Sequence, residues 1–407
     1  MPTCQIAASR LARTLRIALL TAVSAFVLAA TLGTAAASAA TTMPAEGIFE
    51  GCQLNTQMQT CLQRLQVMHD GGFQVVVFPA NDGSLADLAT YDNAAHSLGM
   101  SVMWALSDPG WWQGSSVTDM FGNFSAACGC SDNATLLSYT AHYLGSLPAT
   151  YGYYAADDSM LTSGDTAGVA RYTAAIKAAD PNPSHTILIS SNSADQANQF
   201  KGLGDLNGTE IYPVQQDSML PVASNQSMWD GVGQSAIDGQ HLADSVHQAS
   251  AFILQAFTFG DNLDDGEAVG ACTLSMTKLQ CAAQLHYPAP AAQLELRNEV
   301  LKNAHPKLIL WWSFQGTYGQ AGNDTYSLYP TGQEAADRWA GLTAAVKAPA
   351  PTTMTSADTA TTTAHTAAAT HKTHKKARKA HKKAKKSAHK TTRKPAHKTT
   401  RKPARKH

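Results

Sequence analysis

The stretch YGYYAADDSM, Tyr151 to Met160, carries an apolar, tyrosine-rich run straight into two adjacent carboxylates, Asp157 and Asp158. Two neighbouring carboxyls can divide acid–base work, one delivering a proton to a leaving oxygen while the other serves as nucleophile or as base for water. Other apolar runs also finish in or near acids, at Glu50, Asp82, Asp108, Glu210 and Asp261. Helix caps and turns supply some of these, because Asp and Ser are favoured there. Asp82 in NDGS and Asp108 in SDPG fit that explanation. The Asp157–Asp158 pair does not reduce to it so easily, and Glu210 in TEIYPV is its natural partner.

The segments that must position these acids follow a regular rhythm. GIFEG, QVVVFPA, MSVMWALSD, YGYYAADDS, HTILISS, TEIYPV, AFILQAFTFGD and KLILWWSF read as eight strands. Each is followed by a segment of helical periodicity, such as NTQMQTCLQRLQVMHDGG with Met58, Leu62, Leu65 and Met68 on one face. Continuous rather than alternating hydrophobicity in the strands indicates a parallel sheet covered on both sides. Eight βα units over residues 41–347 fit an α/β fold of the (β/α)8 TIM-barrel type, with a doubly wound open sheet as the alternative. In a barrel the site lies at the C-terminal ends of the strands. That map selects Asp158, Glu210 and Asp157 as catalytic candidates. Glu50, Trp111, Trp112, Tyr154, Tyr212, Gln255, Trp311 and Trp312 become candidates for substrate binding, since aromatic rings suit the faces of sugar rings. Adjacent strand residues point to opposite sides, so one of Trp311 and Trp312, and Trp104, are expected to be core.

GYYAADDS resembles the tyrosine-rich fourth strand ending in Asp-Glu-Pro of many TIM-barrel glycoside hydrolases. EIYPV is similar to their acid-x-Tyr-Pro strand six, and ILQAFTFGD to their Gln-aromatic strand seven. LELRNEVLKNAHPKLILWWSF is similar to their closing helix and Trp-rich strand eight. The resemblance covers most of residues 47–345 and implies hydrolysis of a polysaccharide or glycoconjugate, with Asp158 where the family's acid stands. There are departures: Asp158 is one methylene shorter than Glu, Ser159 replaces Pro, and Gln255 stands where retaining members often place a Glu nucleophile. Glu210, or Asp261, Asp264, Asp265 or Glu267, could supply the second acid. The competing reading is a non-catalytic carbohydrate-binding barrel. Carboxyls about 5 to 10 Å apart across a cleft favour hydrolysis; carboxyls spent on Arg171 or Arg297 favour binding.

The ends of the chain differ from its body. Residues 1–40 place Arg10, Arg13 and Arg16 before an apolar run and the small residues AAASAA, the pattern of a secretory signal peptide. No later run is long enough to span a bilayer. Residues 348–370 read as a Thr/Ala/Pro linker. Residues 371–407 hold 17 Lys and Arg, six His and no acid, a composition expected to be disordered. Compositionally the tail resembles the basic arms of linker histones. The formal net charge of zero hides this asymmetry, because ten basic residues face all 30 acids over residues 41–370. A secreted monomer is expected, its tail attaching it to cell-wall or surface polyanions through counterion release, without specific nucleic-acid recognition.

After loss of Cys4 with the signal, six cysteines remain, consistent with export and up to three disulfides. Cys52–Cys61 and Cys272–Cys281 are the simplest pairs, and Cys128 and Cys130 are the uncertain ones. A single CxC without paired His ligands argues against zinc, and no Gly-rich phosphate loop is present, so no cofactor or metal is expected. Five Asn-x-Ser/Thr sequons occur, at Asn123, Asn133, Asn207, Asn225 and Asn323.

Overall fold

A computed structural model of the protein describes residues 43–213, 226–257, 275, 290–315 and 333–351. Eight parallel strands close a barrel in sequential order: β1 Ala45–Glu50, β2 Val75–Pro79, β3 Ser101–Ala105, β4 Thr150–Ala156, β5 Thr186–Ser191, β6 Leu206–Ile211, β7 Ala249–Gln255 and β8 Leu308–Gln315, with β8 pairing back onto β1. Closure rules out the open doubly wound sheet. The helices alternate with them: α1 Leu54–Asp70, α2 Leu85–Ser97, the short α3 Gly110–Gln113 and α4 Gly122–Cys128, then α5 Asn133–Gly145, α6 Thr166–Ala179, α7 Ala194–Phe200, α8 Gln226–Ser245, α9 Pro290–Asn303 and α10 Gln333–Lys347.

The strands read as continuous apolar runs because both of their faces are buried. Phe49, Val75, Val77, Met103, Leu188, Ile253 and Leu310 fill the barrel. The alternate residues Ile48, Val76, Phe78, Trp104, Ile187, Leu254 and Trp311 face the helices. Four helices begin with side-chain caps: Ser84 to Asp87 N, Asp132 to Thr135 N, Asp165 to Gly168 N and Ser193 to Gln196 N. Such caps contribute about 1 kcal/mol each and fix where the chain turns after β2, β3, β4 and β5.

Two strand details differ from the sequence expectation. β6 starts at Leu206, three residues before TEIYPV, so Asn207 and Gly208 lie within the strand. Gly208 meets the Ile189 carbonyl and the Leu188 side chain so closely that a Cβ would contact both. β4 carries register shifts at both of its interfaces, beside Gly152 and between Tyr154 and Ala156. At Gly152, φ is +151° and a Cβ would overlap the Thr186 carbonyl, so only glycine fits.

Cys52–Cys61 and Cys128–Cys130 are disulfide-bonded. Cys272 and Cys281 lie outside the described residues, as do residues 1–40, most of the 348–370 linker and the tail. Among the described residues no helix is long and apolar enough to cross a membrane. Asn207 is buried in β6. The amides of Asn123 and Asn133 are engaged, donating to the Ala80 and Gly83 carbonyls and to the Gly110 and Ser115 carbonyls respectively. These three sequons are structural; Asn225 and Asn323 lie outside the described residues.

Candidate active site

The irregularity at the end of β4 answers what the tyrosine-rich strand does with its two acids. Regular alternation would put Tyr154, Ala156 and Asp158 on one face. Instead Ala155 and Ala156 both join the helix-facing core, and Asp157 returns to the side of Tyr154. The Tyr154 hydroxyl donates to Asp157 Oδ1 at 2.6 Å, a contact between residues three apart that an unbroken strand would not allow. The Asp158 backbone N–H donates to the same oxygen at 3.0 Å. Met160 N–H then donates to the Asp157 carbonyl at 3.0 Å, turning the chain away immediately.

Two neighbouring strands complete the cluster. Glu210 projects from the inner face of β6 and accepts from Ser190 Oγ of β5 at 2.7 Å. Asn192, just beyond β5, donates through Nδ2 to Asp158 Oδ2, while Gln196 Nε2 donates to the Asp158 carbonyl at 2.8 Å. One oxygen from each of Asp157, Asp158 and Glu210 lies within 4.8 Å of the others. Burial first, then the charge of Asp157, then that of Asp158 push the Glu210 carboxyl well above the ordinary carboxylate range; Ser190 opposes this only in part. Glu210 also shares a hydrogen bond with Asp157. The arrangement therefore holds its proton on Glu210, which keeps partial exposure toward the opening and so can deliver it. Alternatively, the three carboxylates could hold a divalent cation with one oxygen each, which would displace that proton.

Aromatic rings line the same end of the barrel. Phe49 packs edge-on against Tyr154 at 5.3 Å and Trp312 at 4.7 Å, and Tyr212 meets Phe257 at 5.0 Å. Trp312 and Tyr212 remain partly exposed. Gln255 pairs with Trp312 in the sheet, is fully buried, and donates to the Phe257 carbonyl at 3.1 Å.

Four expected site residues lie elsewhere. Glu50 faces the helices, paired with Arg64 Nη1 at 3.4 Å, and burial outweighs this loose pair and raises its carboxyl to about 8. Trp311 also faces outward, its indole N–H donating to Glu46, whose other oxygen accepts from Arg297 Nε at 2.6 Å. Burial raises Glu46 to about 7 despite that arginine. Arg297 is thus spent on Glu46 and not on the mouth carboxyls. Trp111 and Trp112 follow a Pro-Gly turn but form α3, which lays both against Tyr172 of α6, leaving them 8% and 7% exposed. The sequence reading missed Ser190, Asn192 and Gln196. Their only signal was position, at and just after the end of strand five. Asp261, Asp264, Asp265 and Glu267 lie outside the described residues.

No protein-family model matches the chain, and no curated protein is similar to it in sequence. Among solved structures it is similar to a GH5 protein from Bifidobacterium longum subsp. longum in complex with Manb1-4GlcNAc, at TM-score 0.49 and 11% identity over 76% of this chain and 80% of that one. It is also similar to the endo-beta-1,4-mannanase from Thermotoga petrophila, at 0.41 and 10% over 75% and 77%. A third similar structure is D-psicose 3-epimerase from Clostridium cellulolyticum, at 0.42 and 11% over 74% and 96%. All three share 11% identity or less with this chain, so function has to be argued from the site.

Proposed function

We propose that the protein is an exported glycoside hydrolase in which Glu210 donates the proton to the leaving oxygen and Asp158 acts as nucleophile or base. The observation that carries this reading is the Glu210 carboxyl at the barrel mouth, pushed well above the ordinary carboxylate range by burial and by the nearby Asp157 and Asp158. The assignment reverses the roles expected from sequence, because Glu210, not Asp158, is the group whose surroundings favour the acid form. Asp157 shares the Glu210 proton and is fixed by Tyr154, and Trp312 and Tyr212 offer ring faces for the sugar. In this reading residues 1–40 direct export and the 371–407 tail holds the enzyme to anionic surfaces.

The same closeness favours a second reading, since carboxyls bonded to one another are not set on two sides of a scissile bond. That reading is a carbohydrate-binding barrel without catalysis. The test is reducing-sugar release from a panel of plant, fungal and bacterial polysaccharides by the wild type, Glu210→Gln and Asp158→Asn. Hydrolysis expected from the wild type should fall by at least a hundredfold in each variant. Sugar binding without release by any of the three would establish the second reading instead.

A further inference from the structure

The connection from β3 to α5 carries a chemistry that the carboxyl trio does not use. Cys128 ends α4 and Cys130 follows Gly129, so their disulfide joins positions only two apart. Cross-linking so short a loop removes less freedom from the unfolded chain than Cys52–Cys61, nine positions apart, removes. Nor does the connection need the bridge for its shape. Before it, Phe124 is fully buried and the Asn123 amide donates to the Ala80 and Gly83 carbonyls. After it, Asp132 caps α5 and the Asn133 amide donates to the Gly110 and Ser115 carbonyls. Both sides are therefore held whether the bridge is closed or open.

Access and charge point the same way. Cys52 and Cys61 are buried, whereas Cys128 and Cys130 are partly exposed and Gly129 between them is exposed. Gly129 is left-handed, at φ +66°, and among the described residues no atom lies within 4 Å of where its Cβ would stand, which leaves one side of the ring open. The Cys130 backbone N–H is shared between the Ser125 carbonyl at 3.1 Å and Cys128 Sγ at 3.2 Å. An N–H aimed at a sulfur stabilises its thiolate, and the same sulfur, once protonated, can donate to the Ser125 carbonyl 3.7 Å away.

We propose that Cys128–Cys130 is a thiol–disulfide exchange site, oxidising thiols of a small molecule or of a cysteine on another chain. This activity goes beyond the hydrolase reading and does not depend on it. An incoming thiolate attacks Cys130 Sγ, forming a mixed disulfide and breaking the bridge, whose electron pair leaves on Cys128 as thiolate. A second thiol attacks the incoming sulfur and releases Cys130. The two thiols lose two electrons and become a disulfide, while Cys128 and Cys130 gain two electrons and the two protons.

The test incubates the full chain with reduced glutathione, or with reduced, unfolded ribonuclease A as the protein thiol. Freed thiols are alkylated at intervals and located by mass spectrometry. Cys128–Cys130 should open at least roughly a hundredfold faster than Cys52–Cys61, with glutathione caught on Cys130 and the alkyl group on Cys128. Whichever thiol opens it faster identifies the source. Ribonuclease A should gain a disulfide for each wild-type chain and none from Cys128→Ser/Cys130→Ser, whose melting should stay near that of the wild type. Opening no faster than Cys52–Cys61 with either thiol, or an adduct on Cys128, would overturn the proposal. So would a double variant melting far below the wild type, which would make the bridge a structural staple.

Discussion

Glu210→Gln isolates the proton at the barrel mouth from everything else there. The amide keeps the shape of the side chain, can still accept from Ser190 and donate to Asp157, and has no proton to lose. In the unfolded chain Glu210 ionises near its usual value of about 4.3. In the folded chain burial, then Asp157, then Asp158 hold it well above that. Between the two values the unfolded chain has released a proton that the folded chain retains, so wild-type stability falls as pH rises through this window. At the 4.8 Å limit of the cluster, one ionised neighbour opposes the Glu210 charge by about 3 kcal/mol at an effective dielectric near 20. Each kcal/mol moves the Tm of a domain of this size by about 2 °C. The variant should therefore match the wild type near about pH 4 and exceed it by on the order of 6 °C near about pH 8. Thermal melts of both chains across pH, at fixed ionic strength, check this, because Glu46, Glu50 and the other titrating groups that do not touch the trio cancel in the difference. Parallel curves at all pH values, or a variant less stable in alkali, would refute the protonated Glu210.

Trp112→Ala and Trp312→Ala should separate packing from binding. The first empties a buried site against Tyr172 and should cost about 3–5 kcal/mol with KM unchanged, whereas the second should raise KM about tenfold with a smaller loss of Tm. Asn192→Ala removes a donor to Asp158 from an exposed residue. It should lower kcat by roughly tenfold to a hundredfold, while Tm stays nearly constant.

The barrel was legible because its signal is repeated eight times and both faces of each strand are apolar, which only a covered parallel sheet requires. What escaped the sequence depends on register. TEIYPV marks only the later part of β6, and Gly208, packed against Leu188 and Ile189 with little room for a side chain, lies within the strand. Glu50 lies at the end of a strand, as a mouth residue should, but its neighbour Phe49 took the inward side and sent Glu50 to Arg64. Trp111 and Trp112 follow Pro109-Gly110, a local signal for a loop. The burial of two indoles against Tyr172 overrode it and made α3. Asp157 and Asp158 could be singled out by type. Their division of labour could not, since it comes from a bulge that depends on how β5 pairs with β4.

That bulge makes the mouth an electrostatic choice. Three carboxyls held within 4.8 Å cannot all be ionised without a compensating positive charge. With nothing bound, the compensation is the proton on Glu210. A cation bound at the trio could take its place, and would release that proton on binding. Linkage makes the exchange reciprocal: whatever binds more tightly at high pH must draw the Glu210 pKa down by the same free energy. A glycosidic acid must keep its proton until the bond breaks. In the proposed hydrolysis, a bound cation that neutralised Asp157 and Asp158 completely would leave Glu210 acidic enough to lose its proton before reaction.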